Sequence, residues 1–514
     1  MNGAESLIRT ALGCGIDVCF ANPGTTEMPL VAALDAVDGM RAVLALFEGV
    51  CTGAADGFGR MADRPAMTLT HLGPGFANGI ANLHNARRAR TPIVNVIGDH
   101  ATWHLAADAP LTADIESLAR PVSGWVKKSA TPAGCAADMA SAYANAMRWP
   151  GRAATLIVPS DCQWSEAPGP VEPPMIAPPP SSLGGSVKES AELLRKHGAR
   201  ATLFLGGRAL REQGLRAAAR IAAATGCRLM CETFPARMER GGAMPNVEKL
   251  AYFPEQGIEA LSKSDAFVIA GAPEPVSFFG YPGIPSKLIP VGRETAFLAT
   301  PEQDSPGALE ELAEMLKAPP GVLRQGSERP AVPTGALNAA TVGAVIAALM
   351  PAGAIMMDEA ATTGLPFFAA SAAAPPHTYL ALTGGAIGQG LPCATGAAVA
   401  CPDRRVIAFQ ADGSAMYTVQ SLWTQARESL NVTTLLCNNR RYRILQVELA
   451  RAGVTEPGRK AKALTSLANP NLDWVGMANS MGVPGVRVET AEALADQLKR
   501  ALAASGPNLI EMLV

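Results

Sequence analysis

Short runs of β-branched and other apolar residues recur along the chain, and between them apolar positions return every three or four residues. Residues 66–70 (AMTLT), 92–98 (PIVNVIG) and 153–159 (AATLIVP) are such runs in the first third. Residues 201–207 (ATLFLGG) and 265–271 (DAFVIAG) follow in the middle, then 405–410 (RVIAFQ), 432–437 (VTTLLC) and 508–513 (NLIEML) near the end. Runs this short and continuous read as strands covered on both faces, and intervening helices make such strands parallel. Two stretches break the rhythm. Residues 166–185 and 317–335 are dense in Pro, Gly and Ser, which remove backbone donors and favour extended chain, so they read as linkers. The pattern predicts an α/β protein of three domains, 1–165, 186–316 and 336–514, each a mainly parallel sheet flanked by helices.

Composition narrows the partners. With 514 residues, 48% of them hydrophobic and 17% charged, the chain is long and apolar enough for large cores. A formal charge of −2 and the lack of any basic arm argue against nucleic acid. The opening Met1-Asn2-Gly3-Ala4-Glu5-Ser6 has no basic start or apolar core, and no uncharged run has the length of a membrane span, so the expectation is a cytoplasmic protein with no membrane partner. Ten cysteines are scattered along the chain, and the pair Cys227 and Cys231 lacks a second pair to complete four ligands. Buried free thiols are expected, not zinc or disulfides. His84, His100, His104, His197 and His377 fit no metal spacing and read as structural or exposed, with His104 the one considered for a substrate entrance.

The closing third carries the chemistry most clearly. After the run ending at Gln410 comes Ala411-Asp412-Gly413-Ser414, and a second strand ends in Asn438-Asn439. Asp412 and Asn439 each lie just past the carboxyl end of a strand, where parallel sheets bind ligands, and one strand-helix-strand unit would bring them together. A carboxylate and an amide oxygen beside free carbonyls suit Mg²⁺ and a diphosphate. Gly413 lets the backbone come close, and the amides opening the next helix would face phosphate. Either dipeptide alone also reads as a turn.

Jointly, this aspartate-glycine and paired-asparagine pattern resembles that of thiamine-diphosphate (ThDP) enzymes, and the chain as a whole is similar to the benzoylformate decarboxylase and acetolactate synthase group. The resemblance implies a ThDP-binding fold with a pyrimidine-binding domain at 1–165, a Rossmann-like central domain and a diphosphate-binding domain at 336–514. It implies Mg²⁺ on Asp412, Asn439 and the carbonyl of Arg441, with Gly413 and Ser414 beside the diphosphate. Ala411 stands where glycine is usual, and Arg440-Arg441 where smaller residues are common. Thr383-Gly384-Gly385-Ala386-Ile387-Gly388-Gln389-Gly390 is similar to the loop beneath the cofactor, in which Gly385 would accept a hydrogen bond from the aminopyrimidine and Ile387 would wedge the two rings into a V. Thr362 is placed like a diphosphate ligand, with Ala361 where a second hydroxyl is expected.

In the first third, Glu48 ends the apolar run Val43-Leu44-Ala45-Leu46-Phe47 and opens a helical stretch of small residues. An acid in apolar surroundings has a raised pKa and can share a proton, although a Glu at this place also complements a helix dipole. By resemblance, Glu48 hydrogen-bonds the pyrimidine N1′ and favours the imino tautomer that produces the ylid nucleophile. Thr25, in Asn22-Pro23-Gly24-Thr25-Thr26-Glu27, offers a hydroxyl on the substrate side, and His71 is similar to a histidine that handles protons there. A second active-site histidine of the decarboxylases has no counterpart, Phe278 falling near its place. The Phe-Gln-Glu element of the synthases is absent near Pro110-Leu111-Thr112. Gly206-Gly207 is too weak a fingerprint to support FAD. The implied activity is decarboxylation of a 2-oxo acid or carbon–carbon lyase chemistry, the alternative being acetolactate-synthase-like carboligation with an aldehyde or second 2-oxo acid as acceptor. The implied assembly is a homodimer or homotetramer with active sites between chains.

Overall fold

The computed structural model describes residues 1–182, 184–321 and 328–514, so Leu183 and residues 322–327 of the two expected linkers lie outside the described residues. Contacts group the chain into two compact units. The first comprises Met1–Ala177, Pro330–Ala370 and Leu382–Val514, and the second Pro178–Arg329 with Ser371–Ala381. The opening and closing thirds thus share one unit. The digression of Ser371–Ala381 into the other has no signal in the sequence.

In the first unit, strands β1 (Val18–Asn22), β2 (Arg41–Leu44), β3 (Ala66–His71), β4 (Ile93–Asp99), β5 (Trp125–Lys128) and β6 (Ala153–Pro159) form a parallel sheet in the order β2-β1-β3-β4-β6-β5. Every residue of β4 and β6 is buried, which is why both appear in the sequence as unbroken apolar runs. Peripheral β2 exposes Arg41 and Ala42 and shows no such run.

The second unit holds β7 (Ala201–Leu205), β8 (Arg228–Cys231), β10 (Glu248–Lys249), β11 (Ala266–Ala270) and β12 (Glu294–Ala299), parallel in the order β10-β8-β7-β11-β12. That order is doubly wound, with its switch point between β7 and β11. Within the same unit, β9 (Met238–Arg240) pairs antiparallel with β14 (His377–Ala381).

The closing third returns to the first unit with β13 (Ile355–Glu359), β15 (Val406–Ala411), β16 (Val432–Asn438), β17 (Gly485–Val488) and β18 (Asn508–Leu513), parallel in the order β17-β18-β16-β15-β13. Mainly parallel sheets flanked by helices are therefore the fold, with one sheet rooted in each third of the chain.

One helix pair sets the geometry that matters below. Helix Glu48–Ala62 crosses helix Gly390–Ala400 at backbone contact: a Cβ on Gly57 would sit 1.9 Å from the Cys393 carbonyl oxygen, and one on Gly396 1.7 Å from that of Ala54. Any side chain at either position would force the helices apart. A sealed ion pair lies at the same place. Arg60, 3% exposed, donates from Nε to Oδ1 of fully buried Asp56 at 2.9 Å and from Nη2 to Oδ2 at 2.7 Å, and the Thr91 hydroxyl and the Gln389 amide complete the carboxylate. Removing one partner of such a pair costs about 3–5 kcal/mol, because the other charge stays buried and uncompensated.

Candidate active site

Parallel pairing of β15 with β16 puts Ala411 opposite Cys437, so the residues that follow each strand, Asp412 and Asn439, emerge side by side at one sheet edge. Strand β13, on the other side of β15, delivers Thr362 and Thr363 to the same edge. Thr362, Thr363, Ile387, Asp412, Gly413, Ser414, Asn439 and Arg441 line one pocket. Thr363 supplies the second hydroxyl that the sequence seemed to lack at Ala361.

Asp412 is 1% exposed. Its Oδ1 accepts the Gly413 N–H at 2.9 Å and its Oδ2 the Arg440 N–H at 2.8 Å. Burial holds this carboxyl above the usual carboxylate range, against the pull of those two N–H groups. Among the described residues no cationic side chain pairs with it. Two of its roughly four lone-pair sites stay open. Asn439 Oδ1 accepts the Arg441 N–H at 3.0 Å, which fixes its amide at the pocket edge. A buried carboxylate short of a cation, an amide oxygen and an adjacent carbonyl form a hard oxygen donor set, which fits a small divalent ion.

The departures from the usual motif are accommodated. Ala411 has φ of −95°, which alanine adopts without strain. Arg440 takes the left-handed region at φ 58°, and its N–H reaches both Asp412 and, at 3.1 Å, Asn438 Oδ1. Asn438 is in turn held by Glu511 at 2.7 Å. Gly413 is required by packing, since a Cβ there would lie 2.4 Å from the Tyr442 ring.

Loop 383–390 enters this pocket through Ile387 and is held by side chains from several elements. Glu359, at the end of β13, accepts the N–H groups of Gly388 (2.8 Å), Gln389 (3.2 Å) and Gly390 (2.7 Å). Burial pushes its carboxyl up to about 7, while those three donors pull it down. From helix Leu72–Ala89, His84 Nε2 lies 3.1 Å from the Gly384 carbonyl oxygen, Asn85 pairs with Ala386, and Asn82 Nδ2 donates to the Gly388 oxygen at 3.3 Å. Gly385 has φ of 77°, accessible to glycine at little cost.

Glu48, His71 and Thr25 do not line the pocket. Glu48 is the first residue of its helix and half-buried, and its Oε2 accepts the Asn78 amide N–H at 3.0 Å. A single chain therefore does not give it the apolar enclosure expected from the run before it. A Cβ on Gly75 would meet Glu48 Oε1 at 2.9 Å and His71 Cβ at 3.3 Å, so this glycine lets the two side chains approach. His71 Nδ1 lies 2.8 Å from Oε2 of fully buried Glu27. With Nδ1 so engaged, Nε2 is the ring nitrogen that has no hydrogen-bond partner among the described residues. Thr25 is exposed on the adjoining turn, Thr25–Glu27.

The profile described as thiamine pyrophosphate enzyme, N-terminal TPP binding domain, matches residues 1–118, and that of the C-terminal TPP binding domain matches residues 364–512. IlvX of Mycobacterium tuberculosis (strain ATCC 25618 / H37Rv), whose name assigns it provisionally as an acetolactate synthase large subunit, is 50% identical over 520 residues, covering 100% of this chain and 99% of the relative. This chain belongs to the thiamine pyrophosphate enzyme family. Benzoylformate decarboxylase of Pseudomonas aeruginosa is 30% identical over 541 residues, covering 97% of this chain and 96% of the relative. In fold, the chain is similar to the ThDP-dependent 4-hydroxybenzoylformate decarboxylase of Rhodococcus jostii RHA1, with a TM-score of 0.88 at 24% identity, covering 100% and 99% of the two chains. The cofactor indicated by both family domains is thiamine diphosphate, and the chain is an enzyme of the decarboxylase and carboligase kind.

Sequence reasoning passed over Glu27, Thr363, Glu359 and Asn85. Glu27 stood in the quoted segment two residues after Thr25, and its role became visible only when β3 brought His71 beside it. His84, expected to be structural or exposed, is half-buried and structural, bonding the loop at the Gly384 carbonyl. In the second unit, Phe278 belongs to an aromatic cluster with Phe234, Tyr252 and Phe279. There too the Gly207 N–H donates to Glu232 at 2.9 Å, so that turn's amide is satisfied within the protein. All ten cysteines are free thiols, nine of them buried. Among the described residues no group of three or more His, Cys, Asp or Glu side chains could hold a metal ion, and no helix is long and apolar enough to cross a membrane.

Proposed function

We propose that this protein is a ThDP- and Mg²⁺-dependent 2-oxo-acid decarboxylase or carbon–carbon lyase, similar to benzoylformate decarboxylase, with residues 1–165 binding the pyrimidine, 186–316 forming the central domain and 336–514 binding the diphosphate. One observation carries the reading: the pocket unites Thr362, Asp412, Gly413, Ser414, Asn439 and Arg441, the residues a magnesium diphosphate calls for, with Ile387 of the loop. Asp412, the Asn439 amide and the Arg441 carbonyl would hold the ion. Among the described residues, the backbone N–H and carbonyl of Gly385 and Ile387 make no hydrogen bond, as is also true of Thr383 at the start of the loop. They are thus free to face a cofactor.

When bound, ThDP supplies a carbon nucleophile for the 2-oxo group and a sink for the electrons left by CO₂. The chain's own residues govern protons and access. Glu48 shares a proton with the pyrimidine N1′. His71, held by Glu27 through Nδ1, presents Nε2 to move a proton on the substrate side, and the Thr25 hydroxyl orients the substrate. Because Glu48 stands outside the pocket and half-open in one chain, its role is completed by a second copy, making a homodimer the minimal unit and a homotetramer a natural extension.

A second reading, acetolactate-synthase-like carboligation of 2-oxo acids, is favoured by the half-identical relative IlvX. A panel of aliphatic and aromatic 2-oxo acids incubated with ThDP and Mg²⁺ distinguishes the two, with CO₂ release and acetolactate measured in parallel. The first reading expects CO₂ and aldehyde from at least one acid, lost with EDTA. Acetolactate from pyruvate as the main product would favour the second, and no turnover of any acid would overturn both.

A further inference from the structure

The cofactor loop is shaped less by its own sequence than by a neighbouring helix. Fully buried Asn85, on helix Leu72–Ala89, grips the residue Ala386 through the two peptide units on either side of it: its Nδ2 donates to the Ala386 oxygen at 2.7 Å, and its Oδ1 accepts the Ala386 N–H at 3.2 Å. The same Nδ2 donates to Asn82 Oδ1 at 3.1 Å, and the Asn85 carbonyl takes the Thr383 hydroxyl at 2.8 Å. The fit leaves no slack. A Cβ on Gly384 would lie 2.5 Å from Asn85 Oδ1 and 2.8 Å from the His84 ring. The flanking residues, Gly385 and Ile387, have no partner for their own N–H and carbonyl among the described residues.

We propose that Asn85 is a positioning residue for the aminopyrimidine half of the cofactor: by pairing both edges of residue Ala386 it aims the Gly385 carbonyl. The alternation explains how. With residue Ala386 tied to the first-third helix, and Gly385 turned through a positive φ, the carbonyl between them is directed away from that helix. An unclamped Gly-Gly-Ala segment would sample many directions and would lose entropy on each binding event. Helix Leu72–Ala89 also carries Asn78, which holds Glu48, so one rigid element sets both the acid and the loop of its own chain.

This inference rests on the proposed role of Gly385, and its test separates the two. Affinity for ThDP and for inorganic pyrophosphate, each with Mg²⁺, is measured by calorimetry on the wild-type protein and on Asn85→Asp, which keeps the acceptor and removes the donor. Pyrophosphate reaches the tail pocket but has no pyrimidine. The expected result is an affinity for ThDP weakened about tenfold with pyrophosphate unchanged, a loss matching one buried hydrogen bond. Amide exchange of residues 383–388 should speed up in the cofactor-free variant. If ThDP affinity is unchanged, or both ligands weaken equally, the positioning role is wrong. If the wild-type protein binds pyrophosphate but not ThDP, the Gly385 reading itself fails. Should Asn85→Asp not fold, His84→Ala, at a half-buried site, must show the same selective loss at about threefold, and an equal loss of both ligands there would also overturn the proposal.

Discussion

Asp412 and Glu48 are both acids that open a helix just after a strand or apolar run, yet one chain treats them differently. Asp412 is 1% exposed, bonded by two backbone N–H groups and enclosed in a formed pocket. Glu48 is half-buried, has the exposed Asn78 amide as a partner, and follows Leu46, which is 49% exposed. Met28, Trp103 and Leu111, in the same third, are also exposed apolar side chains. On the proposed reading, one chain can anchor the tail of the cofactor, whereas Glu48, the proposed activating acid, needs a cover that one chain does not provide.

The contrast can be broken from either side. Asp412→Ala should weaken ThDP binding in Mg²⁺ about a hundredfold or more, read by calorimetry, because the ion loses its only buried carboxylate. Glu48→Gln should do the opposite: affinity should stay within about tenfold while exchange of the thiazolium C2 proton, followed by NMR, slows by about 10²–10⁴. If Glu48→Gln instead abolished binding, the two acids would not divide the work. A smaller effect is expected at Glu27→Gln, which loosens His71 without touching the pocket. Turnover should fall about tenfold, the loss of one charge-assisted hydrogen bond, and its pH profile should shift while ThDP affinity stays constant.

The smallest effect concerns Glu359, which braces loop 383–390. Its carboxyl is raised from 4.5 to about 7, so between those values the native protein keeps a proton that the unfolded chain has released. Its contribution to stability is complete below 4.5 and is lost as pH rises through 7, with a slope of at most about 1.4 kcal/mol per pH unit. Denaturant titrations of the cofactor-free protein should show this decline, and Glu359→Gln should flatten it.

Much of this was legible in the chain because buried parallel strands announce themselves. The runs at 153–159 and 508–513 are strands over those same residues, 66–70 and 432–437 stop one residue short of theirs, and 405–410 is offset by one residue from its strand. Asp412 and Asn439 were legible for the same reason, since each follows such a strand. Short or exposed strands went unread: β2 overlaps the run Val43–Phe47 only at Val43 and Leu44, and β10 is two residues long. Asn85, Glu359 and Glu27 were hidden for another reason. Their partners lie 301, 29 to 31 and 44 positions away, and only the packing of helix on loop or strand on strand reveals them.

Mixing of two dead variants tests the central claim most directly, that anchor and acid come from different copies. Glu48→Gln and Asp412→Ala subunits, each inactive alone, are dissociated together and allowed to reassociate. If the site joins Glu48 of one copy to Asp412 of another, each mixed dimer regains one intact site, and random pairing returns about a quarter of wild-type activity. If both acids serve the same copy's cofactor, no mixed dimer holds an intact site, and activity would stay at the level of the separate variants.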